Sequence, residues 1–337
     1  MKIDIYNHIF PEPYWAYMLE VAGDHKDIGK RVRSIPMLAD LDARFRVMDQ
    51  FEDYRQILSV PAPPPEVLAG PEQAAELARR ANDGMAELCI KHPDRFPGFT
   101  ATLAMNNMAA TADEIRRAVT ELGARGVEFY TNAAGRPLDL PEFEPIFATM
   151  SEYDLPIWVH PIRPAHFPDY LSEDKSKYEI WWTFGWPYET SVFMARIVFA
   201  GYFDKYPNLK IITHHLGGMV PFFEGRVGPG WDQLGSRTSD EDYSQVLERL
   251  QKPHLEYFKM FYADTAVFGS RPATECGLAF FGPDHVLFAS DAPFDPEGGP
   301  MYIRETIRVI DALDVPPEVR EKIYRGNAER LLKIQPH

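Results

Sequence analysis

The residues of this chain best placed to do chemistry are histidines and carboxylates that end apolar runs. The segment Ile3-Asp4-Ile5-Tyr6-Asn7-His8 alternates and ends on a histidine. Tyr6 and His8, two residues apart, face the same side of an extended strand. Pro156-Ile157-Trp158-Val159 runs into His160, and the following Pro161 disfavours helix at that position. Another run ends on the doublet His214-His215, and Val286-Leu287-Phe288-Ala289-Ser290 leads to Asp291. A carboxylate at the end of a buried run is costly unless a cation or hydrogen-bond donors meet it. Imidazole and carboxylate without thiolate are the donor set of zinc, manganese, iron or cobalt. Taken singly, such a residue reads better as a hydrogen-bonded core group. Together they form either a polar plug or a metal site.

The elements that must position them alternate along the chain. Strands are expected over Ile3–His8, Gln56–Val60, Gly98–Leu103, Gly126–Tyr130, Ile157–His160, Lys210–His214, Met260–Asp264 and Val286–Asp291. Helical patterns intervene over Leu38–Phe51, Glu72–Lys91, Asp113–Leu122, Pro141–Tyr153, Glu189–Tyr206 and Tyr302–Leu313. Thr111 is the expected cap of the third, and Pro141 the expected first residue of the fourth. Eight strands, each followed by helix, predict a (β/α)8 TIM-type barrel with loop insertions at Ala16–Leu38, His166–Tyr188 and Val227–Tyr257. An open doubly wound sheet is the competitor, but no Gly-x-Gly-x-x-Gly follows the first strand. One domain spanning 1–337 is expected, since Pro61-Ala62-Pro63-Pro64-Pro65 is too short for a linker. In such a barrel, catalytic groups come from the C-terminal strand ends, which is where the histidines and Asp291 fall.

Composition narrows the partners. The chain is 45% hydrophobic and carries a formal charge of −15, which repels phosphate backbones and argues against nucleic acid. No apolar run is long enough to span a membrane, and no leader-like segment opens the chain, so a cytoplasmic protein is expected. With only Cys89 and Cys276, neither a disulfide framework nor a thiolate zinc site is available.

The motifs resemble the amidohydrolase superfamily, in the branch of aminocarboxymuconate-semialdehyde and dihydroxybenzoate decarboxylases. The resemblance covers nearly the whole chain. It rests on Ile3–Pro11, Trp158-Val159-His160-Pro161, Gly185-Trp186-Pro187-Tyr188-Glu189-Thr190, His215-Leu216-Gly217-Gly218, Phe288–Phe294 and the tail Gly326–Leu332. It implies that His8, His160 and Asp291 are metal ligands. It implies further that His215 binds or activates a metal-bound water or protonates substrate. Arg44 matches a substrate-carboxylate arginine, and Arg226 a second one supplied across a dimer interface. Trp181 and Trp182 fall in the insertion that lines the family's pocket. For the arginines, solvated ion pairs are the competing reading, and for the tryptophans, aromatic packing.

One position departs from the family pattern: Tyr6 stands where the paired ligand motif has His or Glu. Three explanations compete. The site holds one metal through His8, His160 and Asp291, with Tyr6 nearby; or it has lost its metal; or a Tyr6 phenolate ligates iron, with Glu189 and the His214-His215 doublet as further ligands. Adjacent His214 and His215 point to opposite sides if both stay in the strand, which would put His214 behind the barrel. Glu189 equally reads as a helix cap. His25, His92, His254 and His337 read as surface; His285 precedes its strand at the wrong end, and His166 sits in an insertion.

The leading expectation is a carboxy-lyase or hydrolase, dependent on zinc or manganese, acting on a small carboxylated molecule. Asp291 or His215 would move the proton, and Arg44 and Arg226 would grip the substrate anion. The alternative is a dinuclear iron or iron–manganese oxygenase fed by a reductase, as in certain superfamily members. A third is a non-catalytic subunit paired with an active homologue. A homodimer or a hetero-oligomer with a homologous subunit is expected.

Overall fold

The computed structural model describes residues 1–23, 32–238 and 240–334; His25, His337 and part of the first expected insertion lie outside them. Among the described residues eleven strands are present: β1 Lys2–His8, β2 Tyr54–Ser59, β3 Gly98–Phe99, β4 Ala101–Thr102, β5 Val127–Tyr130, β6 Asn132–Ala133, β7 Arg136–Pro137, β8 Ile157–His160, β9 Ile211–Thr213, β10 Tyr262–Asp264 and β11 Val286–Leu287. β6 and β7 form a small antiparallel pair in the loop after β5. The rest are parallel, in the orders β1-β2-β3 and β11-β10-β9-β8-β5-β4. Two seams join these sheets into a closed ring. At the first, β3 and β4 are one strand interrupted at Thr100, whose N–H bonds the Leu58 carbonyl at 2.9 Å. At the second, β1 meets the continuation of β11 through Ile5 N–H to Phe288 O (3.0 Å), Asp291 N–H to Tyr6 O (3.1 Å) and His8 N–H to Ala292 O (2.8 Å). The expected eight-stranded barrel is observed.

Helices occupy the expected intervals with shifted ends. The third spans Met108–Thr120 and is capped by Asn107, whose side chain accepts from Ala110 N–H at 3.2 Å. Thr111 therefore lies inside that helix and bonds the Ala104 carbonyl instead. The fourth begins at Glu144 rather than Pro141. His254, expected at the surface, is buried with Nε2 on the Gly228 carbonyl at 3.0 Å. Apolar faces of the helices pack on the outside of the barrel. The inside is filled by Ile3, Ile5, Tyr6, Ile57, Trp158, Ile212 and Leu287, closed from below by Leu331 and Leu332 of the helix Asn327–Leu332.

β1 does not alternate strictly. Asp4 pairs with Gln56 but Asn7 with Leu58, so three steps on β1 oppose two on β2. This β-bulge lets Ile3 and Ile5, and then Tyr6 and His8, all face the interior, which a period of two forbids. The backbone groups it frees are paired individually. Tyr6 N–H bonds Asp4 Oδ1 at 3.2 Å, the Asp4 carbonyl accepts from Asn7 Nδ2 at 3.2 Å, and the Ile5 carbonyl accepts from Trp158 Nε1 at 3.1 Å. Asn7 Nδ2 also reaches the Ile57 carbonyl at 3.0 Å. Asn7→Ala strands these buried acceptors, so it should destabilise the fold by about 2 kcal/mol or more in urea unfolding. A change below about 0.5 kcal/mol, the usual effect of an uninvolved position, would show that Asn7 does not hold the bulge.

Candidate metal centre

His8, His160, His214 and Asp291 bring one donor atom each to within 4.8 Å of one another, and all four are buried. They come from the C-terminal ends of β1, β8, β9 and the β11 continuation, so the barrel ring itself assembles them. Each imidazole is held from behind through Nδ1. Ser59 Oγ donates to the Asn7 carbonyl at 2.8 Å and lies 3.1 Å from His8 Nδ1, whose N–H it accepts. His160 Nδ1 donates to the Pro161 carbonyl at 2.6 Å, and His214 Nδ1 to Asp264 Oδ2 at 2.5 Å. The Nε2 lone pairs are thereby left for the cluster, with His8 Nε2 2.9 Å and His214 Nε2 3.5 Å from Asp291 Oδ1. His214 Nε2 has no hydrogen-bond partner among the described residues. Three imidazole nitrogens and one carboxylate oxygen, oriented by fixed outer partners, are the donor set a divalent metal ion requires. The residues present fit such an ion.

Electrostatics agree at Asp291, His8 and His160; at His214, against burial, Asp264 and Asp291 push the imidazole up to about 9, so it must release a proton to an incoming ion. Burial opposes ionisation of Asp291, yet the adjacent imidazoles of His214, His215 and His8 hold its carboxyl well below the usual carboxylate range. Burial pushes His8 and His160 down, so both imidazoles are neutral donors at physiological pH.

The other expected site residues are distributed around this cluster. His214 is in it, against the expectation that it packs behind the barrel, because β9 ends at Thr213 and the chain has already left the strand. His215 is outside the four. Its Nε2 lies 3.5 Å from Asp291 Oδ2, and its ring faces Trp186 at 6.3 Å. Tyr6 lies beneath, with its ring 4.2 Å from that of His214, but its hydroxyl donates to Glu128 Oε1 at 2.5 Å rather than joining the four. Burial, reinforced by Glu128, raises the phenol well above its ordinary pKa, which disfavours the phenolate of the iron reading. Glu189 stands apart, ion-paired with Arg163 Nη1 at 3.1 Å. Trp182 is half-buried, its Nε1 on Glu179 Oε2 at 3.0 Å. Arg226 is exposed on the short helix Glu224–Val227, over the Phe223 ring.

Arg44 departs furthest from its expected role. It is wholly buried in the barrel wall, donating to Gln56 Oε1 at 2.6 Å, to Asn7 Oδ1 at 3.1 Å and to the His8 carbonyl. In this position it braces the β1 bulge and has no exposed surface. Two neighbours of the cluster were not singled out as site residues in the sequence. Glu128 is buried in the middle of β5 with Oε2 unpartnered among the described residues, and burial pushes it up to about 8. Trp186 packs 5.1 Å from the His160 ring with its indole N–H unpartnered among the described residues. Alternation along β5 could have placed Glu128 with Tyr130 on the inner face.

The amidohydrolase family model matches residues 3–334. The chain belongs to the amidohydrolase family. It is 32% identical over 308 residues to the gamma-resorcylate decarboxylase of Rhodococcus jostii, covering 87% of each chain. It is 28% identical to the 2-amino-3-carboxymuconate-6-semialdehyde decarboxylase of Dictyostelium discoideum, covering 100% of this chain and 93% of that one. A crystal structure of 5-carboxyvanillate decarboxylase from Novosphingobium aromaticivorans, with manganese and 4-hydroxy-3-methoxy-5-nitrobenzoic acid, superposes with a TM-score of 0.81 at 27% identity. That match covers 99% of this chain and 96% of the other. These relatives are named decarboxylases, and the oxygenase alternative finds no support among them. No described helix is long and apolar enough to cross a membrane.

Arg44→Ala should act on stability rather than on substrate affinity, since it leaves three buried acceptors unpaired. A loss of about 3 kcal/mol or more is expected in urea unfolding. A variant of wild-type stability with a raised KM would instead return Arg44 to substrate binding.

Proposed function

We propose that this amidohydrolase is a metal-dependent carboxy-lyase acting on a small carboxylated aromatic substrate. What carries the reading is the cluster itself: three oriented imidazoles and a carboxylate at the mouth of a barrel whose relatives are named decarboxylases. His8, His160, His214 and Asp291 would hold zinc or manganese, and manganese accompanies the related 5-carboxyvanillate decarboxylase. When bound, the ion supplies a Lewis acid for the substrate's oxygens.

The chain's own residues supply the rest. The carbon–carboxylate bond breaks, its electron pair stays on the ring carbon, and a proton must replace the departing CO₂. The His215–Asp291 pair, 3.5 Å apart, stands beside the cluster to deliver that proton. The Trp186 ring walls the same space, and Trp182 extends the wall outward. Exposed Arg226 is available to the carboxylate of a substrate bound in a second subunit, which makes a homodimer or a pair with a homologous chain the favoured assembly. The retained donor set favours an enzyme over a non-catalytic partner.

The test offers the manganese-loaded protein a panel of hydroxybenzoates and related carboxylated aromatics in D₂O. CO₂ release with one deuterium at the vacated carbon is expected. His215→Asn should keep its manganese and lose about 10²–10⁴-fold in kcat. Failure of the wild-type protein to bind manganese or zinc, or substrate turnover that consumes O₂ without releasing CO₂, would overturn the proposal.

A further inference from the structure

Asp264, at the end of β10, is fully buried and lies outside the four donors. Its two carboxylate oxygens do different work. Oδ2 accepts the Nδ1–H of His214 at 2.5 Å. Oδ1 accepts two backbone amides, His215 N–H at 3.1 Å and Ala266 N–H at 3.0 Å. The first bond fixes the His214 ring and its tautomer, leaving the Nε2 lone pair on the side of Asp291, 3.5 Å away. The second holds the chain where it turns out of β9 into left-handed backbone at His215, φ +54°. Two adjacent histidines, which a strand would send to opposite faces, are thereby brought to one site, their ring centroids 3.7 Å apart.

We propose that Asp264 is the positioning residue that makes His214 a metal ligand and leaves His215 for proton transfer. The inference rests on the reading of the cluster as a metal centre. It divides labour within the doublet: His214 binds the ion, and His215 does not. Asp264 touches neither ion nor substrate and acts through His214.

Asp264→Asn tests it with little change of shape. The amide oxygen can still accept the two backbone amides, but the NH₂ then faces His214 Nδ1. Nδ1 becomes an acceptor, the ring proton moves to Nε2, and the lone pair is lost to the ion. Chelator competition should show the affinity for manganese reduced about 10–100-fold in Asp264→Asn. His215→Asn should bind manganese as the wild type does, and the visible spectrum of the cobalt-substituted protein should change in Asp264→Asn but not in His215→Asn. Wild-type affinity and an unchanged cobalt spectrum in Asp264→Asn would overturn the proposal, as would loss of manganese in His215→Asn. Should Asp264→Asn fail to fold, anomalous diffraction from zinc-loaded wild-type crystals decides. Zinc within about 2.1 Å of His214 Nε2 is expected, and zinc bound without His214 overturns the proposal. A wild-type protein that bound no metal would instead sink the proposed function, so the two failures are distinct.

Discussion

The site depends on one extra residue in the first strand. A strand with a strict period of two cannot send both the Ile3–Ile5 pair and the Tyr6–His8 pair to the barrel interior. Either the plug would lose two isoleucines or the site would lose a histidine. The bulge between Asp4 and Asn7 removes that conflict, and what surrounds it compensates the ladder bonds it breaks. Asp4 is the centre of that compensation. Its buried carboxylate receives the hydroxyls of Tyr54 and Ser290, each at 2.5 Å, and the amides of Tyr6 and Ser290. Burial still pushes its pKa up to about 6, against the lowering effect of those bonds. One carboxylate thus pins the bulge of β1 to the residue just before Asp291. The first ligand strand and the last are fixed to each other at the seam where the barrel closes.

The same economy accounts for Arg44. A guanidinium inside a barrel wall is costly unless its donors are met. Here the two terminal nitrogens meet Asn7, Gln56 and the His8 carbonyl, three groups whose positions set the bulge, while Nε is unpartnered among the described residues. Burial lowers its pKa to about 10, so it remains charged at neutral pH. The flanking residues of Arg44 resemble those of a substrate-binding arginine, but contacts decide its role, and those contacts are structural. Tyr6 and Glu128 make a parallel case one layer below the ligands. Their hydrogen bond spends the phenol's proton within the floor of the site, so Tyr6 supports the cluster from below.

The barrel, its eight strands and the strand ends carrying His8, His160 and Asp291 were legible because each strand is a short apolar run bounded by turn residues. Three features were hidden, each for a physical reason. The bulge leaves no mark in hydropathy, since a segment with one slip still alternates over most of its length. His214 was misplaced because strand geometry was extended one residue too far, and periodicity does not report where a ladder stops. Glu128 was hidden among apolar neighbours in Val127–Tyr130, where a lone acidic residue gives no hint of the phenol that pairs with it across the barrel. Helix ends shifted for a similar reason. Thr111 and Asn107 are both capping residues, and only the packing of Met108–Thr120 selects Asn107.

Backbone conformation explains why residues just past the strands can serve as site residues at all. His215 and Asp291 both adopt left-handed backbone, with φ of +54° and +63°. For residues with a Cβ this costs on the order of 1–2 kcal/mol each, and it persists only where the surroundings over-determine it. At both positions the residue's own amide is captured, His215 N–H by Asp264 Oδ1 and Asp291 N–H by the Tyr6 carbonyl. In each case the acceptor belongs to a neighbouring strand, so the turn is held by the barrel rather than by its own loop. The left-handed turn brings the side chain back over the strand ends, toward the axis. A strand left to run on would have sent one of each adjacent pair outward. The barrel therefore sets more than which strand ends are neighbours: by holding these two amides it sets which way the last residues face, and so which of them reach the ion and which are left to move protons.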